Sequence, residues 1–148
     1  MPLPETAHPK DDLSRTLGLV RRIEMNPGGR ARLEYEARPE MCHSGGVVQG
    51  GFVTGWIDAA MAHALMARDG LDIVPMSLEL KVSFFAPARP GRVIAEAWIE
   101  GGGRSTCFLE GRLTDLQGKV LAKASSTLRV MDRGRVEAST KAALGGQG

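Results

Sequence analysis

His43-Ser44-Gly45-Gly46-Val47-Val48-Gln49-Gly50-Gly51-Phe52-Val53-Thr54-Gly55-Trp56-Ile57-Asp58 is the stretch that decides how this chain reads. A glycine-rich turn opens onto a run that stays almost wholly apolar through Ala67, which predicts one long helix from about Gly50 to Arg68, buried on nearly all sides. Within it stands one carboxylate, Asp58, about two turns in. A lone charge on a buried helix costs several kcal/mol unless it is paired, hydrated or used. Glycines at the helix start let a ligand approach the backbone N–H groups closely, at the positive end of the helix dipole. A carboxylate close to such donors is equipment for hydrolysing an acyl group. The plainer readings are a carboxylate bonded to a nearby hydroxyl such as Thr54, and a glycine pair that only makes a tight turn.

On either side of this helix the pattern is β. Leu17 to Met25 and Arg30 to Ala37 flank Asn26-Pro27-Gly28-Gly29, a hairpin signal. Met76, Leu78, Leu80, Val82 and Phe84 alternate with Ser77, Glu79, Lys81 and Ser83, which predicts a strand with the first set on its buried face. Alternation resumes over Val93–Ile99, Cys107–Leu113 and Val120–Val130, with turns at Ala86–Gly91, Gly101-Gly102-Gly103 and Asp115–Gly118. Small residues at inward positions (Ala95, Ala97, Gly111, Ala122, Ala124) let a sheet curve tightly. One helix and five or six antiparallel strands make an α+β fold with the sheet wrapped around the helix.

The 148 residues suit one domain. Residues 1–13 read as a mobile lead-in, 14–131 as the domain, and 132–148 as a flexible tail with at most a short frayed helix. A net charge of +2 with no basic run among aromatics argues against nucleic acid. Gly51 to Ala67 is too short, and too interrupted by Asp58 and His63, for a membrane span. The N-terminus lacks the pattern of a signal peptide, so the cytoplasm is the expected compartment. Cys42 and Cys107 are too few for a disulfide framework or zinc knuckle and read as reduced and buried, and no metal or cofactor is expected. His63, about 140° round the helix from Asp58, reads as packing or interface.

The order of elements, with six residues between Gln49-Gly50-Gly51 and Asp58 and with Phe84-Phe85-Ala86-Pro87-Ala88 ending a strand, resembles the hotdog-fold acyl-CoA thioesterases, most of all the phenylacetate-pathway branch. The likeness runs from about Arg15 to Met131. It implies hydrolysis of an acyl-CoA to free acid and coenzyme A without a cofactor. Asp58 falls on the general base or nucleophile, and Gly50 on the residue whose N–H polarises the thioester carbonyl. His43 falls on a position often held by Asn that orients water or carbonyl, and Ser77 on one where a small hydroxyl residue assists the water. The resemblance also implies a homodimer or dimer of dimers with interfacial sites, His43 and Gly50 from one chain meeting Asp58 and Ser77 of its partner.

Gln49 departs from the His that many relatives carry there; an amide hydrogen-bonds like a neutral imidazole but takes no proton at neutral pH. Gln49 and Gly51 are expected to contact substrate, and Arg89, Arg92 and Arg104 are candidates for the phosphates of coenzyme A, against the plain reading of solvated charge. An acyl-CoA binder without turnover and a hydroxyacyl dehydratase are the alternative functions; the acyl group, and coenzyme A against acyl-carrier protein, stay open.

Overall fold

The computed structural model describes residues 12–145. In chain order the elements are α1 (Asp12–Leu17), β1 (Leu19–Asn26), β2 (Arg30–Ala37), a short 3-10 turn (Pro39–Met41), β3 (Cys42–His43), β4 (Val47–Val48), α2 (Gly50–Asp69), β5 (Ile73–Phe84), β6 (Gly91–Gly102), β7 (Thr106–Asp115), β8 (Val120–Asp132) and α3 (Arg133–Gly145). Six strands form one antiparallel sheet in the order β1-β2-β6-β7-β8-β5, and β3 and β4 form a separate small hairpin. This is the expected α+β hotdog architecture, a sheet wrapped around one long helix.

The core lies between the concave face of the sheet and α2. Strict alternation buries Ala31, Leu33, Tyr35 and Ala37 of β2, and Cys107, Leu109, Gly111 and Leu113 of β7. They meet Val53, Trp56, Ile57, Ala60, Met61, Ala64 and Leu65 on the helix. Trp56 stacks on Tyr35 with ring centroids 6.0 Å apart and donates its indole N–H to Leu17 O at 2.7 Å, so α1 is tied to the start of α2. Gly111 marks the closest approach of sheet and helix: a Cβ there would lie 2.7 Å from Ile57 Cγ2. On the outer face the buried Glu96 sits among Arg30, Arg32 and Arg112.

Burial of α2 is less complete than its composition suggests. The flank through Gly55, Asp58, Ala62 and Met66 stays partly exposed. His63 packs as expected, its Nδ1 2.8 Å from Ala59 O. Both cysteines are free; Cys107 is buried but Cys42 only partly so.

Two expectations need correcting. β5 does not bury Met76, Leu78 and Phe84, which are 47%, 60% and 55% exposed. It is the last strand of the sheet, with no strand beyond it among the described residues, and a β-bulge between Ser77 and Glu79 resets its alternation. The end of the chain is also more regular than expected. Arg133–Gly145 is a helix, exposed along most of its length. Asp132 Oδ1 accepts the Arg135 N–H at 3.0 Å as a cap, and the Arg133 guanidinium donates to Leu71 O and Ile73 O. Of the stretch read as a mobile lead-in, residues 1–11 lie outside the described residues, while Asp12 and Leu13 begin α1. Residues 146–148 of the tail also lie outside them.

Candidate active site

The bulge in β5 is what creates the first half of the site. Cross-strand partners share a face of a sheet, and Ser77 pairs with the buried Leu128 while Leu80 and Val82 pair with Ser126 and Ala124 on the same helix-facing side. Leu78 is the extra residue, so Ser77, rather than Leu78, turns toward α2. Ser126 pins the irregularity by donating its hydroxyl to Glu79 O at 2.6 Å. Ser77 Oγ then donates to Asp58 Oδ1 at 2.6 Å. Asp58 is thus paired and partly exposed rather than buried alone, and one carboxylate oxygen stays open for water. Thr54 is not its partner; that hydroxyl donates to Gly50 O at 2.8 Å.

The second half lies at the start of α2. The β3–β4 hairpin turns through Gly45 and Gly46, both at positive φ (99° and 71°), and is anchored by Val48 N–H to Ala88 O and Gln49 N–H to Met41 O. Gln49 is the helix cap, and its side-chain oxygen accepts the Gly51 N–H at 2.7 Å. The expectation that both glycine N–H groups face a ligand is thereby narrowed: Gly51 is engaged, whereas nothing among the described residues accepts from the Gly50 N–H. Gly50 opens on a groove of about 420 Å³ lined by Val47, Val53, Phe84, Phe85 and Pro87. The Phe84 ring would lie 3.2 Å from any Cβ at position 50. His43 is exposed on β3, with Nδ1 2.8 Å from Ser44 O. A carbonyl only accepts, so Nδ1 carries the proton and Nε2 is the free nitrogen.

Within one chain these halves stay apart. Gly50 and Asp58 are eight residues apart on one helix, about 12 Å along its axis. An oxyanion donor and the group that attacks must both come within about 3 Å of the reacting atoms.

The arginines divide. Arg89 is exposed in the loop, one residue beyond Ala88, the last residue of the groove lining. Arg92 lies on the outer face and is paired with Glu34 and Glu36. Arg104 is in the β6–β7 turn, whose Gly103 O accepts from Arg68 in the last turn of α2, the end opposite Gly50. The Asp69 carboxylate holds the Arg68 guanidinium above its ordinary range. Sequence reasoning missed the roles of Phe84 over Gly50 and of Ser126 under the bulge; the unbroken alternation of β5 carries no mark of either.

Known proteins show the same architecture. A family model described as the thioesterase superfamily matches residues 45–122, more than half of the chain. A Saccharolobus solfataricus protein named as a candidate esterase is 32% identical over 111 residues, 74% of this chain and 77% of that one. A solved structure from Ralstonia eutropha JMP134, named as a candidate thioesterase and phenylacetic acid degradation-related protein, is 30% identical with a TM-score of 0.72, covering 83% of this chain and 92% of that one. A mutant of the phenylacetic acid degradation protein PaaI from Thermus thermophilus is 27% identical with a TM-score of 0.70, over 80% of this chain and 98% of its own. With its six-stranded sheet around α2, the chain belongs to the thioesterase superfamily and is a thioester hydrolase of the hotdog fold.

Proposed function

We propose that the protein hydrolyses an acyl-CoA thioester to the free acid and coenzyme A in the cytoplasm, at sites shared between two copies of the chain. The observation that carries this reading is the division of the site: a free N–H at Gly50 and an Asp58–Ser77 pair about two turns along the same helix, at the edge of the sheet. A second copy placed against that edge supplies the missing half to each.

In the composite site the Gly50 N–H takes the carbonyl oxygen. Asp58 of the other chain either removes a proton from water, so that hydroxide attacks the carbonyl carbon, or attacks it directly to give an anhydride that water then opens. Both routes end with the C–S bond broken and coenzyme A released as thiolate. Ser77 holds the carboxylate in place, and His43 Nε2 orients water or the carbonyl. The groove beside Gly50 receives apolar parts of the substrate, with Arg89 at its mouth for phosphate.

The test mixes two inactive proteins. Asp58→Asn alone is expected to fold normally and lose about a hundredfold or more in kcat. Mixed with His43→Ala under subunit exchange, it regains activity at those sites that draw both wild-type groups from different chains. A folded Asp58→Asn protein with near-normal turnover refutes the assignment of Asp58. Proven heterodimers from two inactive parents that recover nothing refute the shared site.

A further inference from the structure

The two glycines that open α2 make room for two different side chains. Neither Gly50 nor Gly51 has a positive φ, so backbone freedom is not what either supplies. A Cβ on Gly50 would meet the Phe84 ring, while a Cβ on Gly51 would lie 2.6 Å from Gln49 Oε1. The three atoms nearest that second Cβ all belong to the Gln49 carboxamide. The side chain missing at position 51 is the space in which the amide sits.

This seat fixes which end of the amide faces the helix. The Gly51 N–H only donates, so the atom it meets at 2.7 Å is the amide oxygen. The NH2 end is left over, and among the described residues nothing accepts from it. Gln49 is exposed and adjoins Gly50, whose own N–H is equally free and whose backbone lines the 420 Å³ groove. Glutamine is an unusual cap, since Ser, Thr, Asp and Asn are preferred. Ser, Thr or Asp would serve the Gly51 N–H with an oxygen alone; a carboxamide serves it through its oxygen and still carries an NH2 donor.

We propose that Gln49 is a catalytic residue, a second donor that joins the Gly50 N–H in holding the thioester oxygen; this rests on the thioesterase reading above. As the nucleophile's oxygen bonds to the carbonyl carbon, the C=O electron pair moves onto oxygen, and the Gln49 and Gly50 N–H groups stabilise that charge. When the C=O bond re-forms, the C–S bond breaks and coenzyme A leaves as thiolate. The amide neither gives up nor gains a proton, so the donor works unchanged across the pH range in which an imidazole would titrate.

Three variants separate donating from capping. Gln49→Glu keeps the capping oxygen and replaces NH2 by oxygen; Gln49→Ser is a good cap with no donor in reach; Gln49→His restores a ring N–H. Each is assayed with acetyl-, hexanoyl-, benzoyl- and phenylacetyl-CoA, alongside Tm. For the substrate that the wild type turns over best, the Glu and Ser variants are expected to keep Tm within a few degrees and KM within about threefold, while kcat falls about a hundredfold, the usual effect of losing one oxyanion donor. Gln49→His is expected to recover kcat to within about tenfold of wild type. Glu and Ser variants with kcat within threefold of wild type, or a His variant as impaired as the Ser variant, overturn the donor role. A wild-type protein inert toward the whole panel overturns the thioesterase reading itself, a different result from active wild type with active variants.

Discussion

Replacing Gly111 by Ala tests whether α2 is seated on the sheet as tightly as the geometry requires. The added Cβ would stand 2.7 Å from Ile57 Cγ2, 3.1 Å from Glu96 O and 3.3 Å from Met61 Cε. Carbon atoms pack best at about 3.5–4.0 Å, so the helix and β7 must part by close to an ångström or Ile57 must leave its rotamer. Overpacking of this kind costs about 1–3 kcal/mol. For a chain of this size each kcal/mol lowers Tm by about 2–4 °C, so a fall of roughly 2–12 °C is expected at fixed protein concentration.

The same displacement moves Asp58, the next residue after Ile57, away from Ser77. An ångström of misplacement can cost up to about a hundredfold in rate, so kcat should fall further than the lost stability alone explains. Ile57→Ala removes the atom that the new methyl strikes. In that background the worst contact is gone and only the 3.1 Å approach to Glu96 O and the 3.3 Å approach to Met61 Cε remain, so the cost of Gly111→Ala should fall well below its value in the wild type. Thermal unfolding of the four proteins of this cycle, with steady-state hydrolysis of one acyl-CoA, measures both effects. A Gly111→Ala protein within 0.5 °C of wild type, or an equal cost in both backgrounds, would falsify the seating argument.

Two further outcomes follow from the site. Ser126→Ala leaves Glu79 O without its partner inside the bulge; a loss of about 1–3 kcal/mol in chemical unfolding is expected, with kcat reduced by more than KM is changed, and a bulge held by β8 pairing alone would show neither. Arg89→Ala should raise KM for acyl-CoA severalfold at low salt with kcat kept, and spare a pantetheine thioester of the same acid; equal effects on both substrates would return Arg89 to ordinary surface charge.

Much of this fold was legible because its periodicities are clean. The apolar run after Gln49 places the start of α2 correctly, and in β6, β7 and β8 the residues that alternation assigns inward are buried or half-buried, including the small ones that let the sheet close on the helix. β5 was misread for a physical reason. Its sequence alternates without a break from Met76 to Phe84, and a bulge adds a residue without altering composition, so the side of Ser77 is invisible until the register with β8 is known. The cap is hidden similarly, because glutamine carries no strong N-cap signal. Charge alone also could not sort the arginines: Arg92 and Arg89 stand three residues apart, yet one is spent on Glu34 and Glu36 while the other is exposed just past Ala88 of the groove lining.

β5 ties both halves of the site together, and its geometry says how two copies should meet. Near its start Ser77 touches Asp58, and its last residue, Phe84, lies over Gly50. Two such edges paired antiparallel bring Ser77 of one chain toward Phe84 of the other only if the twofold axis falls at Lys81, midway between them once the bulged Leu78 is left out of the count. The edge is suited to such pairing, since exposed apolar edges invite another strand and this one shows Met76, Leu78 and Phe84 to solvent. Lys81 projects from the outer face, where it pairs with Ser125 of β8. At the axis, Lys81 would face its own copy at about 4.5–5.5 Å between Cβ atoms, within a small adjustment of disulfide geometry. Lys81→Cys should therefore cross-link chains under mild oxidation, while Lys123→Cys, on the same face of a strand already paired on both sides, should not. A Lys81→Cys protein that stays uncross-linked as a proven dimer, or one matched by Lys123→Cys, would place the pairing elsewhere and leave Gly50 and Asp58 without a common substrate.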